Sequence, residues 1–226
     1  IFVSTERLRD ELDSRAIYGG RIWSRGIDTR LFRPDGPRHA AMEHLPKPVL
    51  LSVGRIAAEK NLEAFLHLDV PGTKVIVGDG PALATLRQRY PDALFLGAFE
   101  GDDLASAYRA ADVFVFPSLT DTFGMVMIEA LACGTPVAGF PVAGPLDIVG
   151  DKGRGVDNSL TVPVGALDDD LTSAIRRAAM LPGQAAADYG ASYDWNRCTD
   201  QFIAGLCHAF MRPKVDQGRR RVMSQA

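Results

Sequence analysis

Cysteine is scarce in this sequence of 226 residues, and the three cysteines lie far apart. Cys133, Cys198 and Cys207 form no CxxC pair and no even set. This spacing argues against a cysteine zinc site and against a disulfide framework. Free or buried thiols in a reducing compartment are expected instead, so we predict a cytoplasmic protein.

An excess of positive charge and long apolar runs are also missing. The formal net charge is -3 at neutral pH, whereas a nucleic-acid-binding domain normally carries a basic balance. No apolar run approaches the ~20 residues that a helix needs to cross a bilayer. The length fits one large domain, or one domain plus the edge of another. The chain begins with Ile1 in an apolar stretch, and we interpret it as a piece of a longer protein.

Short apolar runs alternate along the chain with longer helical patterns. The runs are rich in Val, Ile, Leu and Phe and hardly alternate with polar residues, as in strands buried on both faces. Strands are predicted at residues 1–4, 21–24, 48–53, 73–77, 93–96, 112–116, 136–140 and 160–162. Helices are predicted at residues 5–12, 81–90, 102–111, 123–133, 167–180 and 195–211. This order predicts an α/β fold with a Rossmann-like, doubly wound parallel sheet.

A proline-rich segment separates two parts of the chain. Residues 27–47 contain Pro34, Gly36, Pro37 and Pro46 and few apolar residues, so we predict an interdomain linker there. The strand–helix–strand pattern before the linker then belongs to a different unit from residues 48–194. Residues 195–226 comprise a long amphipathic helix and a basic tail with three consecutive arginines.

Two cations follow the predicted strand at 48–53. Gly54 permits an unusual turn, and Arg55 and Lys60 project from the loop and from the start of the next helix. Cations at a helix N-terminus are unfavourable unless an anion joins them, and a diphosphate is such an anion. A solvated loop in which Glu59 and Lys60 balance each other is an equal alternative at this point.

A glycine-rich turn follows the predicted strand at 73–77. Gly78, Asp79, Gly80 and Pro81 lead into the next helix, and one interpretation is a wall of a nucleotide pocket. Ordinary strand–helix turns have the same composition, so the pattern alone favours this simpler alternative.

The third segment follows the strongly apolar strand predicted at 112–116. Asp121 precedes a predicted helix and is placed to cap its N-terminus. Phe123 and Gly124 lie in the first turn, whose unpaired N–H groups can hold a phosphate. Glu129 follows in an otherwise apolar helix, where an acid is costly without a partner such as ribose hydroxyls. The alternative is an amphipathic helix with one exposed acid.

The order of these motifs resembles that in the GT-B glycosyltransferases of the retaining family four, the glycosyl transferases group 1. Any one string is common, whereas the ordered set is specific and spans nearly the whole chain. The strings are RGID at 25–28 with Phe32, GR at 54–55, EK at 59–60, GDGP at 78–81, AD at 111–112, PS at 117–118, the segment from Asp121 to Glu129, and GTPV at 134–137. The sequence most resembles GDP-mannose-dependent alpha-mannosyltransferases and sulfoquinovosyltransferases.

The resemblance implies a donor site for a nucleotide diphosphate sugar, GDP- or UDP-linked. Arg55 and Lys60 match the cations that hold the diphosphate. The segment from Asp121 to Glu129 matches the family's two acids separated by seven residues, of which the first contacts the sugar and the second the ribose. Here the first acid is Asp, one methylene shorter than the usual Glu. Arg55, Lys60 and Asp121 are therefore the expected catalytic residues.

Further donor contacts, also implied by the resemblance, come largely from backbone and small residues. They are expected at Gly54, Gly78, Asp79, Leu96, Gly97, Phe123, Gly124, Met125 and Glu129. Leu96 and Gly97 resemble a segment that lines the base pocket. Neither a metal nor a cofactor other than the donor is expected.

The resemblance also implies the reaction and its partners. A hexose passes from the donor to a lipid or saccharide hydroxyl, with retention of anomeric configuration. Residues 1–26 would be the last piece of an N-terminal acceptor-side domain, and the helix at 195–211 would cross back to it. The isolated chain is then expected to be inactive, and peripheral contact with the inner face of a membrane stays open.

Two other functions stay open on the sequence. A GT-B-like epimerase acting on UDP-sugars would need acids and histidines from both domains. The isolated chain would alternatively serve as a non-catalytic nucleotide-sugar-binding module. A dinucleotide-binding dehydrogenase domain is disfavoured, because no GxGxxG follows the predicted strand at 48–53.

Overall fold

Two compact units divide the chain in a computed structural model that describes residues 1–121 and 123–211, with side chains up to Cys207. Residues 25–197 form the larger unit, and the described residues 1–24 and 198–211 belong to the smaller one. The basic tail predicted at 212–226 lies outside the described residues, as does Thr122.

The smaller unit contains a two-stranded parallel sheet. It comprises β1 (Phe2–Val3), α1 (Glu6–Ser14), β2 (Arg21–Ile22) and the end of α9 (Trp195–Met211). The rings of Phe2, Trp23 and Phe202 lie 4.9 to 5.8 Å apart between centroids, so an aromatic cluster packs α9 within this unit. The side chain of Thr5 accepts a hydrogen bond from the Leu8 N–H and caps α1. The helix predicted at residues 5–12 is present and begins one residue later, at Glu6.

A six-stranded parallel sheet forms the centre of the larger unit. Its strands are β3 (Val49–Val53), β4 (Thr73–Val77), β5 (Leu94–Gly97), β6 (Val113–Phe116), β7 (Val137–Gly139) and β8 (Gly165–Leu167). Their order across the sheet is β5-β4-β3-β6-β7-β8, and every neighbouring pair is parallel. The predicted Rossmann-like, doubly wound sheet is confirmed.

Both faces of this sheet are buried, because successive side chains of a strand point to opposite sides. Leu51 and Val75 belong to one hydrophobic core, whereas their neighbours Leu50 and Ile76 belong to another on the opposite face. The helices that cover the faces are α2 (Leu62–Leu66), α3 (Leu83–Arg89), α4 (Gly101–Ala110), α5 (Met125–Ala132), α6 (Ala143–Leu146), α7 (Leu171–Ala178) and α8 (Gly183–Ala191). Apolar strands without polar alternation are the expected consequence.

Residues 27–47, predicted as a linker, are part of the larger unit. Ile27, Phe32 and Met42 are buried in one of its two cores. The Ile27 N–H donates to the Tyr193 carbonyl, and a 3-10 helix at Ala40–Met42 gives the segment local order. The segment is irregular in secondary structure, but its apolar residues belong to the core.

The strand predicted at 160–162 is wrong. The carbonyls of Leu160 and Thr161 accept from the Arg154 guanidinium, and Val162 is exposed. The edge strand lies instead at Gly165–Leu167, where the lack of a side chain on Gly165 permits close pairing with β7. No helix in the described ranges is long and apolar enough to cross a membrane.

Replacement of Gly190 by alanine is expected to destabilise the larger unit. A Cβ at this position would collide with the backbone of Ala132 in α5. Overpacking of this kind costs about 1–3 kcal/mol, although alanine alone would favour the helix by about 1 kcal/mol. Urea denaturation followed by circular dichroism measures the free energy of unfolding.

The control for this experiment is the reverse exchange at the adjacent position, Ala191→Gly. Ala191 is exposed, so this exchange tests helix propensity alone and should lower stability by at most about 1 kcal/mol. A Gly190→Ala variant as stable as the wild type would show that α5 and α8 do not need this close approach.

Candidate active site

A crevice of about 420 Å³ opens where β3 and β6 end. These strands are neighbours in the sheet, and their connections run to opposite sides of it, which is where ligands bind in open parallel sheets. The volume lies in the range of small-molecule sites. Seven of the predicted site residues line this crevice: Gly54, Arg55, Lys60, Asp121, Phe123, Gly124 and Met125.

The loop that carries Arg55 is fixed by backbone contacts to the turn after β4. The Gly54 N–H donates to the Val77 carbonyl over 3.0 Å, and the Ile56 N–H donates to the Asp79 carbonyl over 2.8 Å. A Cβ on Gly78 would collide with the Gly54 carbonyl. Gly78 therefore lets the two loops approach, and the side chain of Arg55 remains largely exposed at the crevice.

Lys60 ends a short 3-10 helix at Ala58–Lys60 and points across the crevice. Its Nζ lies 2.7 Å from each carboxylate oxygen of Asp121. The guanidinium of Arg55 lies 3.7 Å from the Glu59 carboxylate. Each of the two cations therefore has a carboxylate of the protein beside it in this structure.

Asp121 does not cap α5, contrary to the prediction. The helix begins at Met125, and its N-cap is Gly124 in the left-handed region with φ 84°, without a side-chain cap. An N-cap residue immediately precedes the first turn, whereas Asp121 lies four residues before Met125 and pairs with Lys60 instead. Gly124, Met125 and Val126, at the start of α5, line the same crevice as the two cations.

Glu129 is placed in α5 but does not line the crevice. Its carboxylate accepts a hydrogen bond of 2.8 Å from the hydroxyl of Tyr108, a fully buried residue of α4. Burial raises the pKa of Glu129, and the hydrogen bond from Tyr108 opposes that rise. Burial and the adjacent Glu129 carboxylate hold the pKa of Tyr108 well above its usual range. The partner expected for this acid is thus a protein hydroxyl here.

The structure does not bring four other predicted donor residues to the wall of this crevice. Gly78 and Asp79 support the Arg55 loop from behind. Leu96 packs against a core, and the Gly97 carbonyl accepts from the Gly78 N–H over 2.7 Å. The four residues form one connected support at the carboxyl ends of β4 and β5.

Arg25 also lines the crevice, and the sequence analysis gave it no role. It precedes Gly26 in the first matched string, so its place in that string was the available signal. Ser52 and Ser118 add buried hydroxyls to the wall. In the described part of the chain, no cluster of three or more His, Cys, Asp or Glu side chains is suited to a metal ion.

The fold and the crevice define a doubly wound α/β protein with a cationic cleft at the switch point of its sheet. The chain belongs to the glycosyl transferases group 1 family, whose model matches residues 47–180. The family predicted from the ordered motifs is therefore confirmed, and the chain is a member of a glycosyltransferase family.

Two curated relatives illustrate this membership. The chain is 36% identical over 185 residues to a GDP-mannose-dependent alpha-mannosyltransferase of Corynebacterium glutamicum, covering 75% of this chain and 45% of the relative. It is 32% identical over 194 residues to the sulfoquinovosyl transferase SQD2 of Arabidopsis thaliana, covering 79% of this chain and 38% of that protein. The chain thus spans less than half the length of these relatives.

Solved structures give the same fold class. A sucrose-phosphate synthase from Thermosynechococcus elongatus superposes with a TM-score of 0.72 and 27% identity, covering 92% of this chain and 58% of that one. Anabaena HepE, solved with UDP and glucose, superposes with a TM-score of 0.67 and 17% identity, covering 92% of this chain and 62% of that one. These neighbours are GT-B glycosyltransferases, which confirms the predicted fold class.

Ionisation of Glu129 is expected to lower stability as the pH rises. Because burial raises its pKa in the folded protein, the folded state retains this proton to higher pH than the unfolded state does. Relative to a Glu129→Gln variant, the wild type should lose free energy of unfolding from about the ordinary value of 4.5 upward and level off above the raised pKa. Urea denaturation at a series of pH values measures the difference.

A Tyr108→Phe variant provides a second comparison. It removes the hydrogen bond that opposes the rise, so the pKa of Glu129 should increase further and the loss of stability should extend to higher pH. Stability curves of wild type and Glu129→Gln that run parallel at all pH values would contradict this account.

Proposed function

We propose that this chain is the donor-binding half of a retaining glycosyltransferase. The donor is a nucleotide diphosphate sugar, GDP-mannose or a UDP-sugar, and the acceptor is a lipid or saccharide hydroxyl. The observation that carries the proposal is the convergence of Arg55, Lys60 and the start of α5 on one crevice. These groups come from two loops at neighbouring strand ends, and all of them favour bound negative charge.

A diphosphate fits this set of groups better than a single carboxylate does. Arg55 offers a planar fork of donors, Lys60 offers a compact ammonium, and the helix start offers backbone N–H groups. When the bond from the anomeric carbon to the diphosphate breaks, negative charge grows on the phosphate oxygens. Groups already fixed around those oxygens stabilise that charge without having to reorganise.

The remaining roles follow from the family pattern and from the positions of the residues. Asp121 lines the crevice and is proposed to contact the donor sugar. Glu129 is proposed to bind the ribose, which would require its carboxylate to accept from both Tyr108 and a ribose hydroxyl. Two free lone pairs per oxygen make such sharing feasible. Leu96 and Gly97 are proposed to lie beside the base.

The acceptor is proposed to bind outside the donor-binding unit. Residues 1–24 and the part of α9 from Cys198, which belong to the smaller unit, are assigned to an acceptor-side domain. The curated relatives are more than twice as long as the stretch they share with this chain, in agreement with that assignment. The chain alone should therefore bind the donor nucleotide without transferring the sugar.

Loss of either cation is expected to weaken nucleotide binding. A charge-assisted hydrogen bond contributes about 1.5–3 kcal/mol, so Arg55→Ala and Lys60→Ala should each bind UDP or GDP about 10- to 100-fold more weakly. Isothermal titration calorimetry of the chain with UDP, GDP and ADP measures this, and one base should bind preferentially.

The matched control is Arg89→Ala, which removes the same charge from α3. Arg89 is exposed and pairs with Glu63 on the surface. Its loss should leave the dissociation constant within about twofold, as expected for a charge exposed to screening solvent. Equal affinities in wild type, Arg55→Ala and Lys60→Ala would refute the diphosphate assignment.

The reaction itself is tested with the full-length protein. Incubation with an alpha-linked GDP- or UDP-sugar and saccharide or lipid acceptors should give an alpha-linked product, seen in the anomeric proton signals by NMR. An inverted linkage would contradict retention. An epimerised nucleotide sugar without a transfer product would contradict the transferase and favour the epimerase.

A further inference from the structure

The ammonium of Lys60 is paired with the carboxylate of Asp121 in this structure. Both oxygens of Asp121 lie 2.7 Å from Nζ, which is a short, two-pronged ion pair. The two side chains are only 29% and 23% exposed, so water screens the pair less than it screens a surface pair. The pair therefore holds the side chains of Lys60 and Asp121 together at the crevice.

This ion pair competes with phosphate binding, which is the role proposed for Lys60. An ammonium has three donors, and two of them are directed at Asp121. Phosphate oxygens that approach Nζ must share its donors with a carboxylate of the same charge sign. Among the described residues that line the crevice, Asp121 is the only acid, so the competition is confined to one side chain.

The rest of the crevice can keep its geometry while this pair opens. The amide of Asn61, the residue after Lys60, donates 3.0 Å to the Pro117 carbonyl. Asn61 lies in the left-handed region with φ 51°, a conformation that asparagine tolerates. This neutral bond joins the same two loops as the ion pair. Rotation of the Lys60 and Asp121 side chains is then enough to separate the charges.

We propose that Asp121 is a resident counter-ion that releases Lys60 when the donor diphosphate binds and takes it back when the nucleoside diphosphate leaves. The exchange rests on the proposed function, since it assumes a diphosphate in the crevice. On binding, Lys60 turns to the phosphate oxygens and the freed carboxylate faces the sugar hydroxyls. After transfer, Asp121 competes with the nucleoside diphosphate for Lys60 and promotes its release.

The pair between Arg55 and Glu59 offers a matched control. Its N–O distance is 3.7 Å, and its side chains are 67% and 50% exposed. Solvent screens such a pair, and little interaction has to be broken before the guanidinium binds a phosphate. Glu59→Gln removes the same charge as Asp121→Asn, from a residue that does not line the crevice.

The test is titration of the full chain with UDP and GDP by calorimetry. Asp121→Asn should bind the preferred nucleotide about three- to tenfold more tightly than the wild type, because the competing carboxylate is gone. Glu59→Gln should change the affinity by less than about twofold. Asp121→Ala, which has no polar side chain, provides a second variant if Asp121→Asn does not fold.

A second pair of variants separates exchange from simple repulsion. In a Lys60→Gln background there is no ammonium to release, so adding Asp121→Asn should improve binding less than it does in the wild-type background. An equal or larger improvement would mean that Asp121 only repels the phosphates, and the exchange would be wrong.

The outcomes also distinguish this inference from the proposed function. Nucleotide binding by the wild type with no gain in Asp121→Asn and Asp121→Ala would overturn the exchange and leave the diphosphate site in place. Absence of binding in the wild type and in the folded variants would overturn both. Binding detected in Asp121→Asn but not in the wild type would support the exchange.

Discussion

Reversal of the strand order between β3 and β6 is the constraint on which the rest of the larger unit depends. Connections from these two parallel strands run to opposite faces of the sheet, so no chain segment has to cover the gap between their carboxyl ends. The loop after β3 and the loop before α5 then face each other across a crevice of about 420 Å³. The burial of apolar side chains on both faces holds this geometry fixed, and the polar groups of the site need not stabilise it.

Close backbone contacts fix the loops that carry the charged residues. Gly78 has no side chain, which allows the turn after β4 to approach the Gly54 carbonyl and accept hydrogen bonds from the Arg55 loop. Asn61 joins the Lys60 segment to the backbone before Asp121. The loops are therefore fixed by uncharged groups, whereas the charged side chains at the crevice are held chiefly by one another. Such an arrangement allows the charges to regroup around a ligand while the backbone stays in place.

The sheet was largely predictable, because continuous apolar runs such as 48–53 and 112–116 have few alternatives to a buried strand. The edge strand β8 was not, because Gly165-Ala166-Leu167 is short and the more apolar-looking segment at 160–162 is held by Arg154. Helix α8 was not predicted either, since its alanines and glycines carry little periodic signal. Seven of the twelve predicted site residues line one crevice at the strand ends. The pairing of Asp121 with Lys60 was not predictable, because the two residues lie 61 positions apart in the sequence and only the folded sheet brings them together.

The two acids of the segment from Asp121 to Glu129 show how one sequence pattern can hold two different electrostatic environments. Asp121 stands at the crevice and is paired with the ammonium of Lys60. Glu129 is withdrawn into α5 beside a neutral tyrosine hydroxyl, where burial raises its pKa. The first acid can therefore respond to an arriving anion by changing partners. The second, Glu129, already accepts a hydrogen bond from the buried Tyr108 and can only add a further hydrogen bond to a group outside the core. In the proposed function, the first acid therefore competes with the diphosphate for Lys60, and the second recognises the hydroxyls of the ribose.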